Sequence, residues 1–155
     1  MRQAAQFRPG LFELLADAEP RQRLEAEPLL RVDRRQLQES VRAELARLLS
    51  SRRAAQPYLA ELSVIDYGVA DWSALHPERA EDRQQLAREI RQAIRSFEPR
   101  LAAPRVSVDT VPGRGLLLSV RIDGELHADG SRWPAAFVAE LDPSGARLTA
   151  CEDAG

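Results

Sequence analysis

Leu118-Ser-Val-Arg-Ile-Asp-Gly-Glu-Leu-His-Ala128 contains an Asp-Gly pair that invites reading as a tight hairpin turn. A two-residue turn at Asp123–Gly124 would set Ile122 opposite Glu125 and Arg121 opposite Leu126, mixing unlike residues on each face. Read as one continuous strand, Leu118, Val120, Ile122, Gly124, Leu126 and Ala128 all fall on one side. The polar set Ser119, Arg121, Asp123, Glu125 and His127 takes the other. The alternation therefore predicts a single long strand with one buried face, bulged at Gly124.

Strand patterning extends to both sides of this segment. Val106, Val108 and Thr110 alternate with Arg105, Ser107 and Asp109 after Pro104, and Gly113-Arg-Gly115 reads as the turn between the two strands. Phe137, Ala139 and Leu141 make a further strand, and the turn Asp142-Pro-Ser-Gly145 returns it through Arg147–Ala150, a candidate sheet edge.

Upstream the period is helical. Leu37, Val41, Leu45, Leu48 and Leu49 form one face of a helix that starts at Asp33, with Gln36 as its capping partner, and frays by residues 50–53. Glu39, Arg42, Glu44 and Arg47 pair on the opposite side. A second helix stops at about Glu98, because Pro99 biases that residue out of the helical region.

 The apolar face of that second helix is Leu86, Ile90, Ile94 and Phe97, at steps of four, four and three. Its start is expected at Pro77, with Glu78, Glu81 and Asp82 in the first turn. Residues 54–77, punctuated by Pro57, Gly68 and Pro77, read as irregular, with Trp72 and Trp133 in loop-like stretches. The fold class that follows is α+β: N-terminal helices packed on a small, largely antiparallel C-terminal sheet. The domain plan is a mobile N-terminus at 1–10, one domain at 11–150 with an apolar helical turn at Leu11, Phe12, Leu14 and Leu15, a connecting segment at 20–32, and a mobile tail at 151–155.

Composition narrows the chemistry. All 22 basic residues are arginine, and the net charge of −2 supplies no basic field for non-specific nucleic-acid binding. Cys151 is the only cysteine. No apolar run reaches the roughly 20 residues that span a bilayer, so the expectation is a cytoplasmic protein without direct membrane insertion. His76 and His127 have no ligand-spaced companions, and the glycine pattern lacks the lysine of a phosphate loop, so no cofactor, metal site or catalytic residue is expected. Arg88, Arg91 and Arg95 make a basic stripe on the second helix, either a solvated face or a docking site for an acidic partner.

One charged motif is unusual in its placement. Glu98 and Arg100 flank Pro99 where the second helix stops, in the sequence Phe97-Glu-Pro-Arg-Leu101. A carboxylate at a helix C-terminus is disfavoured by about 0.3–1 kcal/mol, so a cation should compensate it. In an extended segment the two charges project to the same side. Two readings stay open: an internal bridge, in which Glu98 meets one of the chain's own arginines and Arg100 caps the helix, or a fixed charge pair presented to another protein.

This motif, following an amphipathic helix and preceding Val106–Val108, resembles the signature of the TssE family of type VI secretion baseplate subunits. That family is similar in turn to a wedge protein of contractile phage tails. Segments 11–15, 39–53, 63–73, 116–126 and 137–148 resemble the family's other motifs in the same order. Ser50 and Ala70 depart from it, standing where Asn and Pro are usual.

The resemblance implies a non-enzymatic wedge subunit whose Glu98, Pro99 and Arg100 bind the TssF–TssG core. It also implies contact with TssK and other baseplate subunits, and a sheet that templates the TssB–TssC sheath. The whole would sit in a cytoplasmic baseplate docked at the inner-membrane complex. An equivalent wedge subunit of a phage tail or tailocin is the alternative. A lysozyme-like peptidoglycan hydrolase is a third reading. For it Glu98 is the only motif carboxylate on offer, beside an arginine that suits poorly a group required to hold a proton.

Overall fold

Leu37, Val41, Leu45, Leu48 and Leu49 are buried along one side of α1 (Arg34–Ser50), and Leu86, Ile90, Ala93 and Ile94 along one side of α2 (Ala80–Phe97). Each large side chain among them contributes about 1.5–3 kcal/mol on leaving water. An exposed pair such as Glu39–Arg42 contributes about 0.2–0.5 kcal/mol. The apolar faces, not the surface pairs, therefore dock the helices.

The computed structural model describes residues 5–7, 30–32, 34–53 and 66–152. Before α1 come two short antiparallel strands, β1 (Ala5–Phe7) and β2 (Leu30–Val32). Between the helices β3 (Arg52–Arg53) pairs in parallel with β4 (Val69–Ala70). After α2, strands β5 (Leu101–Thr110), β6 (Leu118–Ala128), β7 (Ser131–Asp142) and β8 (Gly145–Glu152) form one antiparallel sheet in sequential order. α2 packs on β5 and α1 on β8, which covers the apolar side of the sheet and makes an α+β architecture. Asp33 and the apolar cluster at 11–15 lie outside the described residues.

β6 is the single strand that its alternation demands, and its pairing with β7 runs unbroken through Gly124↔Ala135. The bulge is not in β6. The extra residue lies on β5, between the pairs Ala102↔Glu125 and Arg105↔Asp123, where Ala103 adopts φ 47°. Gly124 is the close-approach point opposite that irregularity. A Cβ there would sit 2.8 Å from Leu101 Cδ1 and 3.0 Å from the Ala102 carbonyl oxygen.

Three element starts differ from the sequence reading. α2 starts at Ala80, not Pro77, because the Arg79 N–H closes a turn on the His76 carbonyl. Asp82 then reaches back to accept the His76 N–H at 2.7 Å. β5 begins directly after Arg100 and carries Pro104 within it. β7 starts at Ser131, so Trp133 lies in a strand opposite Leu126. The β6–β7 hairpin turns on Asp129–Gly130, with φ of 48° and 73°, the backbone that an Asp-Gly pair favours. Strand structure also reaches Ala5–Phe7 and, at the other end, Glu152.

Candidate functional site

The second helix ends in a closed corner. Glu98 leaves the helical region at φ −127°, ψ 72°, while its N–H still donates to the Ile94 carbonyl. The Leu101 N–H then donates to the Glu98 carbonyl at 3.2 Å, a turn with Pro99 at its second position, where the fixed proline φ fits. This turn folds the motif onto itself instead of extending it. Glu98 Oε1 accepts the Arg100 backbone N–H at 3.1 Å and its Nε–H at 2.8 Å, and Oε2 accepts Nη2 at 2.7 Å. Arg100 Nη1 donates to Ser40 Oγ on α1 at 2.8 Å. Glu98 is 1 % exposed and Arg100 8 %, whereas Pro99 between them faces solvent.

A second buried polar group lies one helical turn along from Ser40. Glu44, 2 % exposed, accepts the Tyr67 hydroxyl at 2.8 Å and the Arg47 guanidinium at 2.9 Å. The Tyr67 ring meets Phe97 edge-on, with centroids 5.2 Å apart. Burial first, and then the bond to the Glu44 carboxylate, push the Tyr67 phenol well above its usual range. Gly68 makes this placement possible: at φ 115° it passes so close to α1 that a Cβ would sit 2.5 Å from the Ser51 carbonyl oxygen. Val69 N–H donates to that same oxygen.

Three motifs far apart in sequence thus form one polar seam. Ser40 and Glu44 come from α1, Tyr67 and Gly68 from the loop before α2, and Phe97, Glu98 and Arg100 from the corner. Glu44 is the member that periodicity misassigns. Its spacing to Arg47 is that of an exposed helix pair, and only the arrival of Tyr67 buries it. Ser50, a departure from the family pattern, accepts the Ala146 N–H at 3.2 Å and so ties the end of α1 to β8.

The remaining candidates serve the core or the surface. Trp72 is buried, with the Arg52 guanidinium 5.0 Å above its ring. It borders a pocket of about 290 Å³ with Leu75, Leu116 and Pro143. His76 is exposed at the turn before α2, and His127 pairs with Arg132 across the β6–β7 ladder. Among the described residues no three His, Cys, Asp or Glu side chains gather as a metal site, and no helix is long and apolar enough to cross a membrane. Both oxygens of the buried Glu98 carboxylate are taken by Arg100, which leaves neither facing a cleft.

A protein-family model described as baseplate wedge protein gp25 matches residues 35–131, and the chain belongs to that family. It is therefore a structural baseplate subunit. The matched stretch runs from α1 to the first residue of β7 and contains the whole seam. No curated protein matches the sequence.

Proposed function

We propose that the chain is a non-enzymatic wedge subunit of a type VI secretion baseplate, docked at the inner-membrane complex on its cytoplasmic side. In this reading the corner at Glu98, Pro99 and Arg100 binds the TssF–TssG core. Pro99 makes the contact, and the two charges hold it in place. The observation that carries the reading is the exposure of Pro99 between two buried residues locked to each other and to α1. A turn held this way loses little conformational freedom on binding, so more of its contact energy remains as affinity. TssK and further baseplate subunits complete the wedge. The open-ended sheet, ending in β5 and β8, supports a role as template for the TssB–TssC sheath, because unpaired strand edges accept strands from a partner.

The test is co-purification with TssF and TssG of the wild type and of Pro99→Glu, with circular dichroism to establish that the variant folds. Retention of the wild type with loss of a folded Pro99→Glu supports the corner as the contact. Equal retention of both removes the corner from the interface. Since the family description is that of a baseplate wedge protein, the same role in a phage tail or tailocin is the second reading. Failure of the wild type to bind TssF–TssG would favour it.

A further inference from the structure

Three turns meet at the end of the sheet opposite the Glu98 corner. The β5–β6 connection presents Leu116, the β7–β8 turn presents Pro143, and the stretch before α2 presents Trp72, Leu75 and Pro77. Together they wall the pocket of about 290 Å³. Each wall is fixed by its own hydrogen bonds. The Leu117 N–H donates to the Arg114 carbonyl at 3.2 Å, the Gly145 N–H to the Asp142 carboxylate at 3.1 Å, and the Leu75 N–H to the Trp72 carbonyl at 2.9 Å. Leu116 is 57 % exposed, the large apolar side chain most open to water among the described residues. Over the buried Trp72 ring lies the Arg52 guanidinium, which donates to the Pro143 carbonyl at 3.1 Å and, at a long 3.4 Å, to Asp71. Asp71 is held more closely by Ser73, whose N–H and hydroxyl it accepts at 3.0 and 3.1 Å. No described residue accepts the Arg52 Nε–H.

We propose that this pocket takes one bulky apolar side chain of another protein, whose neighbouring carboxylate lies on Arg52. Size argues for a side chain over a cofactor. The volume is at the lower end of small-molecule sites, which run from about 300 to 1,000 Å³, and a small ligand seated there would leave Leu116 in water. A polypeptide covers both, with its side chain among Trp72, Leu75 and Pro77 and its backbone across Leu116. The carboxylate follows from Arg52. A guanidinium fixed between Trp72 and Pro143, with a donor to spare, favours an anion over a neutral or cationic neighbour. Because the walls are already ordered, little freedom is lost on binding. The ten residues of β5, roughly 30 Å of strand, separate the pocket from the corner. The two sites can therefore hold different partners at once, and the proposal stands independently of what the corner binds.

The experiment adds capped dipeptides to the nitrogen-15-labelled full chain and follows the indole N–H resonances of its two tryptophans, Trp72 and Trp133. The probe is acetyl-Phe-Glu-amide, with the Ala-Glu and Phe-Gln dipeptides beside it. The Phe-Glu dipeptide should shift the Trp72 indole and the Leu116 amide and leave the Trp133 indole in place. Ala for Phe should weaken binding about tenfold or more. Gln for Glu should weaken it about two- to fivefold, the worth of one partly exposed ion pair. Leu116→Asp, shown by circular dichroism to fold, should weaken it too. Absence of a Trp72 shift, equal affinity for the Ala-Glu or the Phe-Gln dipeptide, or unchanged binding by folded Leu116→Asp each overturns the proposal. Shifts of the same resonances with protein concentration alone, accompanied by a dimer in sedimentation, would assign the pocket to a second copy of the chain and overturn it as well.

Discussion

Arg100 grips the carboxylate of Glu98 through both oxygens, at 2.8 and 2.7 Å, across a single proline and almost wholly out of water. The pair is local in sequence, yet its remaining guanidinium nitrogen reaches Ser40, sixty residues earlier. It thereby joins the end of α2 to the middle of α1. The opposite charges flank a proline because the turn that proline permits brings them together.

Removing either charge should destabilise the fold, since the other is left buried without its partner. Glu98→Ala and Arg100→Ala should each cost about 3–5 kcal/mol. The double replacement Glu98→Leu/Arg100→Met should cost less than the sum of the two. Urea denaturation measures all three. Single costs below about 1 kcal/mol would show that the pair does not hold the corner.

Tyr67→Phe keeps the edge-on ring contact and removes only the hydroxyl from Glu44. A loss of about 1–3 kcal/mol is expected, because the carboxylate stays buried with one donor fewer. In the wild type, one of the two tyrosines should ionise late in an ultraviolet titration. The folded-state value is raised, so this contribution to stability is complete below the unfolded value of about 10 and is lost as pH climbs above it. Stability that declines equally in Tyr67→Phe above that pH would remove the assignment.

Gly68→Ala should be much worse than Gly113→Ala. Both glycines have positive φ, which alone costs another residue about 1–3 kcal/mol. Only at Gly68 does the new Cβ also collide with backbone, at Ser51; Gly113 has open space. Comparable denaturation midpoints for the two variants would contradict the close approach.

Asp142 accepts the Ser144 hydroxyl and N–H and the Gly145 N–H in the β7–β8 turn, and these bonds, Ser144 foremost, hold its carboxyl below the usual aspartate range. Its contribution to stability is present above the unfolded value of about 3.9 and disappears as pH falls through the lower folded value. Carbonyl-detected NMR titration should show the depression, and Ser144→Ala should relieve much of it. An unchanged midpoint in Ser144→Ala would place the cause elsewhere.

Much of the architecture was legible before any coordinates, and the particular successes share a cause. The faces of α1 and α2 and the unbroken run of β6 are read from periods of 3.6 and 2, which each segment carries within itself. Choosing one strand over a hairpin at Asp123–Gly124 worked because a wrong turn would have exposed Leu126. The true turn, Asp129–Gly130, carries the same dipeptide signal, but the strand after it starts with Ser131 and Arg132, which show no apolar alternation.

The sequence by itself determined the two helical faces, the alternating strands, the proline that ends α2 and the motif of the corner, all of which depend on neighbours within a few residues. Tertiary structure alone decided that Glu98 and Arg100 are buried, that Glu44 is covered by Tyr67, and that the extra residue of the sheet lies on β5 opposite Gly124. Those outcomes depend on which distant segment arrives. A carboxylate three residues from an arginine reads the same whether water or a tyrosine lies above it.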